Sequence, residues 1–356
     1  MIPIADSHIH IRFCRYDEIK RMLDDVAAVG VTDACLLPLP YRGAAENLAA
    51  LYCKMVYSKI RLRAFGGLHL TDRYAAVAPE KQLQALLDLG IDGFKIMNAP
   101  TSRRFMGHGF DDLRYEKMFA MLEERGLPVN MHVADPEEFW NEGAQYHDPS
   151  YVSKQQLYDE TFTVLKRHPG LKMSFAHFFF LSNEPEEAIR VMETYPNVRF
   201  DLTPGVEMYW NFDSRIDFWH DFFTRYSTRI LFGTDSNTNK STNQQLELLV
   251  KRKLTESRDF FTQNCYGRDF VVRGLGLSDE AAQRICHQNM IDWAGDTPRP
   301  VNEELFDDCC RRIIRDIQTQ PDDPYYTAGM EWIEHFRDDP HQQIAVDFCR
   351  FALARR

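Results

Sequence analysis

The chain has 356 residues, 44% hydrophobic and 13% aromatic, ample for a large buried core in one big domain with an appendage or in two domains. Its formal net charge of −11, with no long basic run, argues against a nucleic-acid or anionic-membrane partner. The eight cysteines (Cys14, Cys35, Cys53, Cys265, Cys286, Cys309, Cys310 and Cys349) make no Cys-x-x-Cys pair, so neither a thiolate zinc site nor a redox dithiol is indicated. No cationic segment followed by an apolar run opens the chain and no window nears membrane-spanning length, which predicts a soluble cytoplasmic protein.

In chain order, eight short apolar runs read as strands: residues 2–11, 31–38, 62–68, 91–97, 127–133, 172–178, 198–202 and 229–235. Amphipathic helical patterns fill gaps between them at 16–29, 80–89, 115–125, 155–167, 184–195 and 216–226. Gly30, Gly90, Gly126 and Gly170 follow helical stretches, where a left-handed helix terminus favours glycine. Eight such units predict a (β/α)8 TIM barrel over residues 1–297, with active-site residues at the C-terminal ends of its strands. A doubly wound open sheet is the alternative, but no Gly-x-Gly-x-x-Gly turn follows the first strand. Excursions at 98–110, 135–154 and 236–280 are candidate lids. Beyond Thr297-Pro298-Arg299-Pro300 the chain turns highly charged, with helices at 303–318 and 328–354. Residues 298–356 are therefore a C-terminal helical extension that packs on the barrel or dimerises.

The first strand closes in Asp6-Ser7-His8-Ile9-His10, and strand alternation puts Asp6, His8 and His10 on one face. His132 and His177 stand near the ends of strands five and six, and Asp235 near the end of strand eight. A barrel brings these residues to one mouth, and imidazole with carboxylate is the donor set a borderline divalent ion accepts. Such an ion activates water as a nucleophile and polarises a carbonyl. The competing readings are a core histidine for His177 and a helix N-cap for Asp235. Lys95 ends strand four, placed to pair with a substrate carboxylate or with Asp92. Arg12 shares parity with the histidines and could hold a carboxylate in two hydrogen bonds. His69 after strand three, with Tyr209 and Trp210 after strand seven, are candidate pocket residues. Arg103, Arg104 and His108 lie on one lid, and Phe178-Phe179-Phe180 reads as core.

Asp-Ser-His-Ile-His at 6–10, Val-Asn-Met-His at 129–132, Phe-Ala-His at 175–177 and Leu-Phe-Gly-Thr-Asp-Ser at 231–236 together resemble the amidohydrolase superfamily. Within it they are similar to the amidohydrolase-related branch that holds the aminocarboxymuconate-semialdehyde decarboxylase type. Ile-Cys-His-Gln-Asn at 285–289 resembles that branch's closing helix, so the likeness spans residues 1 to about 295. It implies that His8, His10, His132 and Asp235 ligate one divalent ion, zinc first and manganese as the alternative. His177 is implied as acid/base or electrostatic helper and Asp235 also as proton acceptor. In binuclear members a lysine at the position of Lys95 is carbamylated and bridges two metals; an unmodified Lys95 and one metal are expected here.

The leading expectation is a metal-dependent hydrolase acting on a small polar or carboxylated molecule, as a homodimer. A non-oxidative decarboxylase on the same scaffold is its nearest competitor. The TatD-like deoxyribonucleases also begin Asp-Ser-His-x-His, but they carry glutamate where Lys95 stands, and the acidic charge disfavours DNA. A non-catalytic binding barrel would be marked by a missing ligand, and none is missing.

Overall fold

The computed structural model describes residues 2–11, 14–39, 44–68, 70, 77–238, 242–265, 267–319 and 341–354. Arg12 and His69 lie outside the described residues, as does most of the predicted helix at 328–354 before His341.

The barrel strands are β1 (Ile4–Ile11), β2 (Val31–Pro38), β3 (Arg61–Gly67), β4 (Gly93–Asn98), β5 (Pro128–Val133), β6 (Lys172–Phe175), β7 (Arg199–Asp201), β8 (Ile230–Leu231) and β9 (Ser236–Asn237). They form one sheet whose spatial order follows the chain, and every pairing in it is parallel. β8 pairs with β7, whereas β9 pairs with β1, so β8 and β9 act as one interrupted eighth strand that closes the ring. Ser7 N donating to the Phe232 carbonyl at 2.9 Å and Asp235 N to that of His8 at 3.0 Å complete the seam. The fold is an α/β TIM barrel.

A strand covered on both faces is buried whatever its residues, and β1 is buried over its whole length although Asp6, Ser7, His8 and His10 are polar. The main core lies between strands and helices. A second cluster of Ala5, Cys35, Phe65, Leu231, Met290 and Trp293 plugs the barrel's N-terminal end, below the polar residues that fill the opposite mouth. All six expected helices are present within one or two residues at each end. Helices that were not expected include Ala44–Val56, Pro100–Met106, Val206–Ser214 and Asn243–Thr255. A hairpin, β10 (Asp259–Cys265) with β11 (Arg268–Arg273), occupies the rest of the predicted 236–280 excursion. The helices Glu303–Thr319 and His341–Ala354 pack on each other and on Ala44–Val56, joining the main core through Phe306, Ile313, Phe348 and Ala352.

Several expectations are corrected. Gly30, Gly90 and Gly126 are left-handed, but Gly170 is not. A Cβ there would stand 2.8 Å from Glu123 Oε1, so a larger residue would have to displace the carboxylate that accepts from Gly170 N. Asp6 does not share the histidines' face. A register shift between Asp6 and Ile9 rotates it outward, where it accepts from Thr234 Oγ1 and its carboxyl meets Glu247. Burial raises the pKa of both carboxyls, so this pair holds a proton between them. β6 ends at Phe175 and not at residue 178, because Ala176–Phe180 leaves the sheet in a tight turn.

Candidate metal centre

The strand ends deliver the chemistry. His8 and His10, on the inward side of β1, are buried and bring their Nε2 atoms to 3.0 Å of each other. Asp235, between β8 and β9, places Oδ1 3.3 Å from His10 Nε2. Ligand atoms of these three residues all lie within 4.8 Å of one another. The outer ring nitrogens explain the orientation. His10 Nδ1 donates to the Leu37 carbonyl at 2.8 Å, and a carbonyl only accepts, so the proton is on Nδ1. His8 Nδ1 donates to Asp201 Oδ2 at 2.8 Å for the same reason. Burial and the Lys95 charge lower the His8 pKa, so its ring is neutral. The lone pair on His8 Nε2 therefore faces His10 Nε2 at contact distance, where a cation can lie between the two. Acceptors on the outer nitrogens are what metal-binding histidines carry. The residues fit a divalent ion.

Lys95 Nζ enters this cluster, 3.4 Å from His8 Nε2, and donates to Asn130 Oδ1 at 2.6 Å. Burial brings its pKa down to about 8. Its expected pairing with Asp92 does not occur: the two are three residues apart, hence on opposite faces, and Asp92 pairs with Lys54 at 2.6 Å.

His132 stands beside this group and not in it. Its Nε2 donates to the Ala134 carbonyl at 2.9 Å, and its ring lies 4.8 Å from that of His177. To join His8 and His10 the ring must give up that carbonyl. His177 sits 5.8 Å, ring to ring, from His8, and its Nδ1 donates to the Thr203 carbonyl at 3.2 Å. Burial, reinforced by His132, lowers its pKa well below the usual value, leaving a neutral ring with a lone pair on Nε2.

The backbone here is strained. His177, Phe178, Phe179 and Phe180 follow one another in left-handed conformation, with φ between 51° and 57°, and Ala134 and Asp235 are left-handed too. Each such residue costs about 1–2 kcal/mol when it is not glycine. Part of this is offset because Asp201 Oδ1 accepts from His177 N at 2.9 Å, a bond to a charged acceptor worth about 1.5–3 kcal/mol. The turn sends Phe178 and Phe179 into the core, as expected, but lays Phe180 against both His177 and His132. Strain concentrated at strand ends is characteristic of functional sites.

Sequence reasoning missed Asp201 and Asn130. Asp201 closes β7, fully buried, and the available signal was its place as the last residue of a barrel strand. Burial pushes its pKa up, but the His8 contact and its hydrogen bonds outweigh that and hold it below the carboxylate range.

A cleft of about 120 Å³ opens beside His177 and is lined by Lys154, Phe180, Glu207, Met208 and Asn211 among others. Tyr209 and Trp210, expected in the pocket, do not line it. On the helix Val206–Ser214 they point away, Tyr209 into the core and Trp210 to solvent, while positions 207, 208 and 211 share the cleft face. On the helix Pro100–Met106, Arg103 is bound to Glu160 at 2.9 Å and Arg104 covers the Tyr151 ring, so neither is directed to the centre.

The amidohydrolase family profile matches residues 17–291. The chain belongs to the amidohydrolase family. It is an enzyme of that metal-dependent superfamily. No curated protein matches the amidohydrolase sequence. Solved structures similar to it include an uncharacterised TIM-barrel protein from Bordetella bronchiseptica at 17% identity and a TM-score of 0.53, with 82% of this chain and 99% of that one covered. A 2,6-dihydroxybenzoate decarboxylase complexed with 2,6-dihydroxybenzoate matches at 15% identity and a TM-score of 0.52, covering 83% and 99%. A dihydroxybenzoic acid decarboxylase from a Polaromonas species, with bound manganese and an inhibitor, matches at 12% and 0.51, covering 83% and 97%. At these identities the likeness is one of fold.

Proposed function

We propose that this amidohydrolase is a hydrolase of small polar or carboxylated molecules that holds one divalent ion, zinc or manganese, at His8, His10 and Asp235. The observation that carries the reading is the pair of Nε2 atoms 3.0 Å apart, with a carboxylate oxygen 3.3 Å from one of them. When bound, the ion supplies Lewis acidity that polarises a carbonyl and acidifies water. His132 completes the ligand set by turning from the Ala134 carbonyl, consistent with its position next to His177.

The chain's own residues do the rest. His177, neutral and held by the Thr203 carbonyl, presents Nε2 as the proton acceptor, and Asp235 assists from the opposite strand end. Neutral His177 favours hydrolysis, where a base takes a proton from the nucleophile. Lys95 supplies positive charge for a carboxylate in the centre, whereas the buried Lys154 on the cleft wall is already paired with Glu184 and Glu137. The cleft's volume admits only a small molecule, and Phe180 shields the two histidines from water. Lys95 stays an unmodified amine with a single metal. The enzyme works as a cytoplasmic homodimer, and among the described residues no helix is long and apolar enough to cross a membrane.

Decarboxylation is the second reading, favoured by two of the similar structures being decarboxylases. Screening carboxylated lactones, amides and aromatic acids, with and without chelator and with carbon dioxide recorded separately, tests both. Chelator-sensitive product without carbon dioxide supports the hydrolase; stoichiometric carbon dioxide overturns it in favour of the lyase. Chelator-resistant turnover overturns both.

A further inference from the structure

We propose that Asp201 is the positioning residue of this centre: one carboxylate sets the tautomer of His8 and anchors the turn that carries His177. The inference rests on the metal-dependent reading above and adds what makes it possible.

Asp201 accepts four hydrogen bonds, two at each oxygen. Oδ2 takes His8 Nδ1 at 2.8 Å and Asn130 Nδ2 at 2.9 Å; Oδ1 takes His177 N at 2.9 Å and Thr203 N at 3.1 Å. A carboxylate has about four acceptor positions, so it is saturated. Its partners lie on β1, β5, the turn after β6 and the segment after β7, and Asn130 passes the link to Lys95 on β4. Asp201 thereby registers five strand ends from the floor of the mouth, touching neither the cleft nor the converging Nε2 atoms.

The two oxygens do separable work. Only an acceptor at Oδ2 keeps the proton on His8 Nδ1 and the lone pair on Nε2. Only an acceptor at Oδ1 satisfies the buried N–H of the first left-handed residue. Asp201→Asn splits them. The amide oxygen can still serve His177 N and Thr203 N, but the amide nitrogen then meets His8 Nδ1 and Asn130 Nδ2, donor against donor. The conflict with His8 is relieved when His8 moves its proton to Nε2, which caps the lone pair a metal needs. Thr203 Oγ1 also lies 2.9 Å from His8 Nδ1 and is the rival holder, so Thr203→Val is the control.

The test is long-range 1H–15N NMR of the histidines in metal-free protein, paired with zinc titration. Wild type is expected to show His8 protonated at Nδ1, Thr203→Val to keep that tautomer, and Asp201→Asn to switch it while zinc affinity falls about 10–100-fold, as for other outer-shell partners. A wild-type His8 protonated at Nε2 overturns the proposal whether or not the variant folds. So does an Asp201→Asn protein of wild-type tautomer and affinity, or a switch in Thr203→Val. Wild type that binds no divalent ion defeats the proposed function instead, and the tautomer measurement still judges Asp201.

Discussion

The two ends of the barrel treat charge in opposite ways. At the N-terminal end the buried charges of Arg63, Lys54 and Asp92 meet partners: Arg63 bonds Asp33 and the Gly295 carbonyl, Lys54 bonds Asp92, and Asp92 also accepts from Arg299 N. Positive φ near that end is assigned to glycines such as Gly30, Gly90 and Gly126. At the C-terminal mouth the groups converge on one space instead. Two imidazole Nε2 atoms, an ammonium and the Asp235 carboxylate meet there, and His132, His177 and Phe180 stack beside them. Non-glycine residues there bear the left-handed backbone. One end is arranged to be stable and the other to be completed by something it binds.

Breaking either end should therefore yield different losses. Asp33→Ala strands Arg63 in the floor and is expected to cost about 3–5 kcal/mol of stability, by chemical denaturation, with metal content unchanged. His10→Ala should reverse that pattern: bound metal falls by more than about 100-fold, beyond what an outer-shell change costs, while the unfolding midpoint stays near wild type. His177→Asn should keep the metal and lower turnover about 100- to 10,000-fold, the range for losing a general base; an unchanged rate removes His177 from the chemistry. The smallest effect concerns strain. Ala134→Gly at a φ of 65° should leave stability within about 0.5 kcal/mol, because relief of the left-handed backbone balances lost chain entropy. Ala64→Gly in β3 has no such relief and should cost about 1 kcal/mol.

What the sequence makes legible follows from how local each signal is. Parallel strands buried on both faces announce themselves as apolar runs, so all eight strand positions and the convergence of His8, His10 and Asp235 could be read. The helix Ala44–Val56 could not, because it is covered both by the barrel and by the C-terminal helices and so has no polar face to give it a period. Asp6 was misplaced because a bulge breaks strand parity, and Tyr209 and Trp210 because a helix's phase is unreadable without its neighbours. Asp201 was overlooked for a different reason. A single carboxylate closing a three-residue strand has no motif, and its importance lies mainly in three partners remote in sequence, His8, Asn130 and His177.

The central claim is that His8, His10 and Asp235 surround one cation, and anomalous diffraction from crystals of zinc-reconstituted protein tests it most directly. The expected result is a single peak bonded to Nε2 of both histidines and to the Asp235 carboxylate. A crystal with no peak within bonding reach of that pair, or with its zinc elsewhere in the chain, would contradict the account.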